Sequence, residues 1–362
     1  MIGAFWQPQA HDHADLEVGV VHRGGQRRYG VVHRRAIAPS PSRRRWATFE
    51  SVEPLYVLRM LAATQDGVVT AAQCRDAGLT PQQVKTLCRG RQWQPLNRGV
   101  YIVTMSAAGA EPPRRALIRA ASISAGPRAV VALGTAAELH GIAGVRHEDV
   151  VHVTVPGVNA RPRRSSEPGL RIHQLALGPD DAVMVEGIAV TSPARTVADL
   201  LLRVDRFTGV GLLDSALNRR ILDPGDLDLV AALLVGRRGA RRARPWLLEV
   251  DPRAESPLET RVRLRAVDGG IAPDELQYRV VDRLGEVVAI ADLAWIGARV
   301  LGEADGAEAH DTPTALFRDR TRQNDIIAAG FAPVRFTWAD TLTSSYIPAK
   351  IRAAIAGARA AA

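Results

Sequence analysis

The sequence contains little cysteine and no long apolar run, and each shortage excludes a class of protein. Its two cysteines, Cys74 and Cys88, have no metal-ligand spacing and stand at apolar positions, where free thiols behave as small hydrophobic residues. No segment approaches the roughly 20 uninterrupted apolar residues of a membrane span. The N-terminus also lacks the apolar region of a signal peptide. We therefore expect a cytoplasmic protein, with reduced thiols and no membrane partner.

Lysine is nearly absent as well, since Lys85 and Lys350 are the only two, so the net charge of +9 comes almost entirely from arginine. Arginine favours bidentate contacts with phosphate, and this charge suits a nucleic-acid partner. An arginine bias from a high-GC genome explains the same composition, so the charge supports that interpretation without deciding it. With 362 residues and 46% hydrophobic content, the chain should fold into two or three packed domains.

Residues 1–48 are rich in His, Arg, Gly and Pro and show no apolar period. This composition predicts a disordered basic arm. Two interpretations of the arm are open: it follows the phosphates of DNA, or it is a non-native extension from a misplaced start site.

Residues 52–105 have the pattern of a winged helix-turn-helix. Leucines at helical spacing predict a first helix, and the next two helices begin with capping boxes, Thr70 with Gln73 and Thr80 with Gln83. A turn containing Gly78 joins the two capped helices, as in a helix-turn-helix. The run from Trp93 to Tyr101 predicts a β-hairpin, the wing, that turns at Asn97-Arg98-Gly99.

The second capped helix presents polar side chains outward while Val84, Leu87 and Cys88 face inward. Glutamine and arginine can read base edges, and lysine can hold a phosphate. The predicted DNA-binding residues are Gln82, Gln83, Lys85 and Arg89 on the helix, Arg91 in the loop and Arg98 in the wing. A winged helix used for protein contact is the alternative, because this fold alone does not imply DNA binding.

Residues 111–248 predict a mixed α/β middle region with helices at 114–125 and 134–140 and a strand at 150–155. A further helix is predicted to begin in the segment Thr191-Ser192-Pro193-Ala194-Arg195-Thr196, with Ser192 as its cap. Two more helices, near 211–219 and 226–234, complete the region.

Residues 254–345 predict a C-terminal α/β domain. Its helix, capped by Ser256, is followed by strands at 277–281, 286–295 and 299–305, a helix at 313–329 and a strand at 333–338. The predicted fold class is therefore α+β multidomain, with an N-terminal winged helix-turn-helix, a mixed middle region and this C-terminal domain.

Four carboxylates are expected to meet in the C-terminal domain: Glu259 on its helix, Asp292 on its second strand, and Glu303 and Asp305 on its third. Side chains two positions apart share a strand face, and a neighbouring strand can bring Asp292 beside them. Such charges repel unless a cation compensates them, and Mg²⁺ would also activate water and stabilise a phosphodiester under attack. The alternatives are that Glu259 only caps its helix and that Asp292 only ends a strand.

The domain resembles the Vsr-like endonuclease domains of the PD-(D/E)xK superfamily. The resemblance is carried by Ala291-Asp292-Leu293-Ala294-Trp295, Gly302-Glu303-Ala304-Asp305-Gly306, His310, Asp319-Arg320 and residues 331–335. It implies a restriction-endonuclease-like fold, with Asp292 and Glu303 as Mg²⁺ ligands, Asp305 assisting and His310 near the scissile phosphate. The sequence departs from the pattern because no lysine follows the Glu-x-Asp-Gly segment. Two alternatives are open: His310 substitutes for the lysine, or the active site is degenerate and the domain keeps the fold without cleavage.

Together with the winged helix and the segment 191–196, most of the chain from about 52 to 340 resembles actinobacterial proteins grouped with AbiEi-type antitoxins. Those proteins join an AbiEi-like N-terminal domain to a Vsr-like C-terminal one. The resemblance leaves three functions open. The first is a regulator of toxin-antitoxin or defence type that binds double-stranded DNA, with its own operon as a candidate target. The second is an active Mg²⁺-dependent endonuclease. The third is a non-catalytic antitoxin of a nucleotidyltransferase toxin.

Overall fold

The computed structural model describes residues 18–23, 26–31, 53–103, 111–156, 169–306 and 313–361. The chain divides into two compact units, residues 1–126 and 127–362. Both units contain helices and sheets, so the predicted α+β class is confirmed at that level.

A β-hairpin lies inside the segment predicted to be a disordered arm. Strand β1 (Val18–Arg23) pairs antiparallel with β2 (Gln26–Val31), which corrects the prediction for these residues. Valine and tyrosine favour strands, and the arginines and histidines between them hide the apolar pattern. The rest of residues 1–52 lies outside the described residues.

The remainder of the first unit follows the predicted order of helices and strands. Its elements are α1 (Pro54–Ala63), β3 (Val68–Thr70), α2 (Ala71–Asp76), α3 (Pro81–Arg89), β4 (Trp93–Asn97), β5 (Val100–Val103) and α4 (Arg114–Ala125). The strands form an antiparallel sheet in the order β3-β5-β4. Both predicted capping boxes are present, at Thr70 and at Thr80, and each fixes the start of its helix.

Helix α4 belongs to this first unit, whereas the sequence pattern assigned it to the middle region at 111–248. Its Ala116 and Ala120 are buried against Val68, Val100 and Ile102 of the sheet. The side chains of Arg115 and Arg119 also reach back to Asp66 in ion pairs of 2.7 Å and 2.5 Å. The sheet therefore carries helices on both faces, because the α1–α3 helices pack a separate apolar cluster that contains Leu58, Val69 and Trp93.

Residues 127–250 form a mixed α/β layer structure. Its elements are β6 (Val130–Val131), α5 (Leu133–His140), β7 (Val151–Thr154), β8 (Leu170–His173), β9 (Ala182–Val185), β10 (Ile188–Thr191), α6 (Pro193–Leu201), α7 (Arg206–Asn218), α8 (Asp226–Leu234) and α9 (Ala240–Ala243). The sheet order is β8-β7-β6-β10-β9, and helices α5–α8 pack into one large apolar core.

The predicted cap of α6 is wrong in one detail. Ser192 stands at the N-cap position, but its side chain makes no capping hydrogen bond. Thr196 instead turns its hydroxyl back into the protein, where it donates to the carbonyl oxygen of Thr191 over 3.0 Å. Pro193 at the first position, which lacks an N–H to satisfy, remains the local signal that starts this helix.

The C-terminal part contains α10 (Pro257–Asp268), β11 (Glu275–Val281), β12 (Val287–Trp295), β13 (Val300–Ala304), α11 (Pro313–Ala328), β14 (Ala332–Phe336) and α12 (Tyr346–Ala361). The sheet order is β11-β12-β13-β14, antiparallel except for the parallel pair β13–β14. Helix α12 lies beyond the predicted boundary at 345. Ile347 and Ile351 on this helix are fully buried in the same cluster as Phe336, so the domain extends to α12 and includes Lys350.

Helix α7 of the middle part packs along α10 of the C-terminal part, within the second unit. Asp214 on α7 is 1% exposed and accepts hydrogen bonds from the Thr260 hydroxyl and from the Arg263 guanidinium, at 2.8 Å and 2.9 Å. It also accepts one from the backbone N–H of Asp251 at 2.8 Å. A buried carboxylate with three donors therefore ties the two parts together.

The two cysteines lie in the first unit as free thiols, with Cys74 buried and Cys88 half-buried. Burial raises the pKa of both thiols, that of Cys74 to about 11, which suits small hydrophobic residues rather than reactive thiolates. Among the described helices, none combines the length and the apolar character needed to cross a bilayer.

Candidate functional site

The outward face of α3 carries the side chains predicted to contact DNA. Gln82, Lys85 and Arg89 are exposed, while Val84 is buried beneath them. Gln83 is exposed too, but its side-chain oxygen accepts hydrogen bonds from the N–H and the hydroxyl of Thr80, at 2.8 Å and 2.9 Å. The side-chain oxygen of Gln83 is therefore used by the helix cap, which leaves its side-chain NH₂ group for a contact with another molecule.

The two basic residues predicted beside this helix are also exposed. Arg91 follows the end of α3 in a left-handed backbone conformation, with φ of +55°. Arg98 lies in the turn between β4 and β5, next to Gly99 with φ of +71°, a conformation that glycine adopts without strain. The structure thus places all six predicted DNA-binding residues on the surface of the first unit.

Three of the predicted acidic residues come together at the sheet of the C-terminal part. Glu259 and Glu303 are only 6% and 7% exposed, and they raise the pKa of the nearby carboxyl of Asp292. Burial is the larger cause, and together these effects bring the pKa of Asp292 to about 6. Burial also raises the pKa of Glu259. The predicted meeting of a helix and two strands therefore produces a cluster of carboxylates, which we call the acidic cluster.

Hydrogen bonds hold the first two members of the acidic cluster in place. Asp292 accepts the backbone N–H of Ala304 at 2.7 Å, which spans the strand pair β12–β13. Glu259 accepts the N–H of Glu255 at 2.9 Å and the side-chain amide of Gln277 at 3.0 Å. Gln277 has a left-handed backbone with φ of +53°, so backbone strain is stored beside the cluster.

Of the other two predicted catalytic residues, only Asp305 falls among the described residues. Asp305 follows the end of β13, is partly exposed and lies 3.8 Å from the guanidinium of Arg335. His310 falls within residues 307–312, outside the described part of the chain. The prediction that His310 replaces the missing lysine stays a prediction.

Two arginines face Glu303 in the acidic cluster. Arg322 on α11 lies 2.9 Å from one carboxylate oxygen of Glu303, a buried atom whose contact lacks hydrogen-bond geometry. Arg335, which is the partner of Glu303 in the β13–β14 register, lies 3.3 Å from the other oxygen. Within the described residues, no group of three or more histidine, cysteine or acidic side chains could hold a metal ion. In the described residues, the cations that contact Glu303 are therefore arginine side chains.

A buried network that the sequence reasoning missed lies in residues 127–250. Asp199 on α6 is completely buried and accepts hydrogen bonds from Arg195, at 3.0 Å, and from Arg237. Arg195 also pairs with Asp181 at 2.6 Å. The spacing of Arg195 and Asp199, four positions apart on one helix, was the available signal for part of this network.

A second polar group in the same region is a pair of stacked histidines. The rings of His152 and His173 lie 5.0 Å apart, with 3.0 Å between Nδ1 of His152 and Nε2 of His173. Burial, followed by the charges of His152 and of Arg203, lowers the pKa of His173 to about 4. One histidine of the pair is therefore neutral at physiological pH.

Comparison with known proteins finds a family match for the middle of the chain. Residues 129–250 match the family described as the AbiEi antitoxin C-terminal domain. This range coincides with the described layer structure that follows α4, and it supports an antitoxin role with a toxin as partner in general.

Two proteins of Mycobacterium tuberculosis are similar over a longer stretch. MT2308 of strain CDC 1551 / Oshkosh and Rv2248 of strain ATCC 25618 / H37Rv are each 33% identical over 224 residues, which is 62% of this chain and 78% of theirs. A crystal structure of the RV2827C protein from Mycobacterium tuberculosis aligns with 53% of this chain and 75% of that one, at 15% identity and a TM-score of 0.39. The chain belongs to the same protein family as MT2308 and Rv2248, and its residues 129–250 match the AbiEi antitoxin C-terminal domain.

Proposed function

We propose that this protein is an antitoxin that binds double-stranded DNA through a winged helix-turn-helix formed by α1–α3 and β3–β5. The observation that carries the proposal is the face of α3, where Gln82, Lys85 and Arg89 are exposed and Val84 packs inward. A helix of this kind can enter the major groove when it is the second of a helix-turn-helix pair. The antitoxin part of the proposal has the support of the domain match at 129–250.

The residue types on α3 suit two kinds of contact, with base edges and with phosphates. Gln82 offers an amide that can pair with adenine, and Arg89 offers a fork that suits guanine. Lys85 acts as a point charge for a phosphate, and Arg98 in the β4–β5 turn would contact the backbone beside the groove. Such a protein would regulate transcription, with the region upstream of its own coding sequence as the first DNA to test.

The test compares Lys85→Ala with the wild-type chain by fluorescence anisotropy on a labelled duplex from that region and on a scrambled duplex. Losing one phosphate contact should weaken binding to both duplexes and reduce the slope of log affinity against log salt by about 0.9. Arg59→Ala is the matched control, because Arg59 is an exposed arginine on α1 and should leave the slope unchanged. An unchanged slope for Lys85→Ala, or equal effects of both variants, would count against the proposed interface.

For the toxin partner, we propose a nucleotidyltransferase, the class that the resemblance to AbiEi-type antitoxins implies. Co-expression of the chain with a nucleotidyltransferase encoded beside it should restore growth that the enzyme alone arrests. Lys85→Ala should still restore growth, since residues 129–250, and not α3, match the AbiEi antitoxin C-terminal domain. Growth arrest that persists with the wild-type chain would exclude that enzyme as the partner.

For the C-terminal part, we propose a role without Mg²⁺-dependent cleavage. The support is the pairing of Glu303 with Arg322 and Arg335. These arginines supply the positive charge that a metal ion would otherwise provide. Purified protein with Mg²⁺ should leave supercoiled plasmid intact. Nicking that requires Mg²⁺ and disappears in Asp292→Ala and Glu303→Ala would establish the endonuclease instead.

A further inference from the structure

A cavity of about 810 Å³ opens in the domain at 129–250. Its walls come from the residues after β8, from α6 and its C-terminal end, from α8 and from residues 237–242. Five arginines line it: Arg195, Arg203, Arg237, Arg238 and Arg242. None of the lining residues is acidic, and Gln174 adds a neutral polar group. The cavity is therefore positively charged and is within the size range of small-molecule sites.

Three of these arginines are fixed by Asp199 behind the cavity wall. Its carboxylate accepts hydrogen bonds from Arg195 and Arg237, and its backbone oxygen accepts one from Arg203 at 2.9 Å. Asp181 holds Arg195 from another side, at 2.6 Å. The carboxylates of Asp199 and Asp181 thus contact two of the five guanidinium groups, those of Arg195 and Arg237. Arginines that are already fixed lose little freedom when an anion binds.

The other two arginines stand at the exposed edge of the cavity. Arg238 and Arg242 are both exposed, and Arg242 donates to the backbone oxygen of Val204 at 3.0 Å. The apolar part of the lining consists of Leu175, Ala176, Leu202 and Leu233. The site therefore combines three arginines held by Asp199, two exposed arginines and an apolar surface.

We propose that this cavity binds an organic polyphosphate of nucleotide size, such as a nucleoside di- or triphosphate. Guanidinium groups bind phosphate oxygens in a bidentate way, and a fixed set of them suits several adjacent phosphates. The nucleoside part would lie against the leucine side chains. A concave site of this volume favours a compact ligand over a duplex, which needs an extended surface. This binding does not depend on the proposed DNA interface at α3.

Isothermal titration calorimetry of the full chain, with ATP and inorganic tripolyphosphate as separate probes, tests the proposal. The double variant Arg238→Ala/Arg242→Ala should bind ATP at least about tenfold more weakly than the wild type, because it loses two charge-assisted contacts. The matched control is Arg241→Ala/Arg244→Ala, which removes the same charge from two exposed arginines that do not line the cavity. Arg238→Ala alone should weaken binding as well, and it leaves the contact of Arg242 with Trp246 intact.

The expected result is saturable binding of one ATP per chain, tighter than tripolyphosphate, retained in the control and weakened in both cavity variants. Absence of saturable binding by the wild-type chain would overturn the proposal. Equal losses in the cavity and control variants would do the same, because they would indicate a non-specific charge effect. If tripolyphosphate bound as tightly as ATP, the nucleoside would make no contribution to binding, and the proposal of a nucleotide ligand would be wrong. A short duplex that binds through Arg238 and that ATP does not displace would assign the site to nucleic acid.

Discussion

Removing the carboxylate of Asp214 should destabilise the second unit by about 3–5 kcal/mol, the range for breaking a buried ion pair from one side. Asp214→Ala leaves Arg263, which is 8% exposed, without its acidic partner, and it leaves the Thr260 hydroxyl and the Asp251 N–H without their acceptor. Urea unfolding of the full chain, followed by tryptophan fluorescence, measures the loss. Asp228→Ala on α8 is the control, since its exposed carboxylate should change the free energy of unfolding by less than about 0.5 kcal/mol.

The pKa of Asp214 sharpens this test. Burial raises it from 3.8 to about 6 despite the opposing charge of Arg263, so desolvation outweighs the ion pair. Replacing both partners should therefore cost less than the sum of the single losses. We expect the loss of unfolding free energy in the double variant Asp214→Ala/Arg263→Met to be about 2 kcal/mol smaller than the sum of the two single losses. Additive losses, or a loss below about 1 kcal/mol for Asp214→Ala, would refute the idea that this pair ties α7 to α10.

Three further outcomes are expected. The raised pKa of Asp292 means that its stabilising contribution is complete below pH 3.8 and is lost as the pH rises through about 6. Asp292→Asn should therefore raise the free energy of unfolding at pH 7.5 by about 2 kcal/mol and have little effect near pH 4, as paired denaturation curves would show. Stabilisation of the wild type by Mg²⁺, absent in this variant, would contradict the proposed role without Mg²⁺-dependent cleavage. Thr80→Ala should lower the thermal midpoint of the first unit by removing about 1 kcal/mol of capping, with no change in the second unit. Gly209→Ala should destabilise the second unit by about 1–3 kcal/mol, because its Cβ would lie 2.6 Å from Trp246; an unchanged midpoint would show that the ring can move.

Local signals in the sequence were sufficient for most helices and strands. The threonines at 70 and 80 place a hydroxyl and a glutamine at capping spacing, and the hydrogen bonds that start α2 and α3 involve only residues within one turn. The strands of the C-terminal sheet were equally readable, because polar and apolar residues alternate along most of β11, and β12 is a nearly continuous short apolar run. Patterns of this kind depend on neighbours in the chain, which the sequence displays directly.

Assignments that depend on distant contacts could not be read in the same way. The apolar face of α4 shows that it packs against something, but not that its partner is the sheet of the first unit. Arg237 meets Asp199 across 38 positions of chain, and no spacing rule relates the two. The acidic cluster was predicted from strand alternation, whereas the arginines that face Glu303 come from α11 and β14 and depend on the tertiary fold.

The packing of α4 determines the smallest fragment of the first unit in which the apolar face of the sheet stays shielded from water. A fragment that ends after β5, at Val103, would uncover Val68, Val100 and Ile102 on the face that α4 shields. It would also leave the carboxylate of Asp66 without Arg115 and Arg119. Such a fragment should associate or precipitate, because a bare apolar sheet face recruits other copies. Limited proteolysis should accordingly release a resistant piece that reaches Gly126, even though the residues that face outward from α3 all come earlier in the chain.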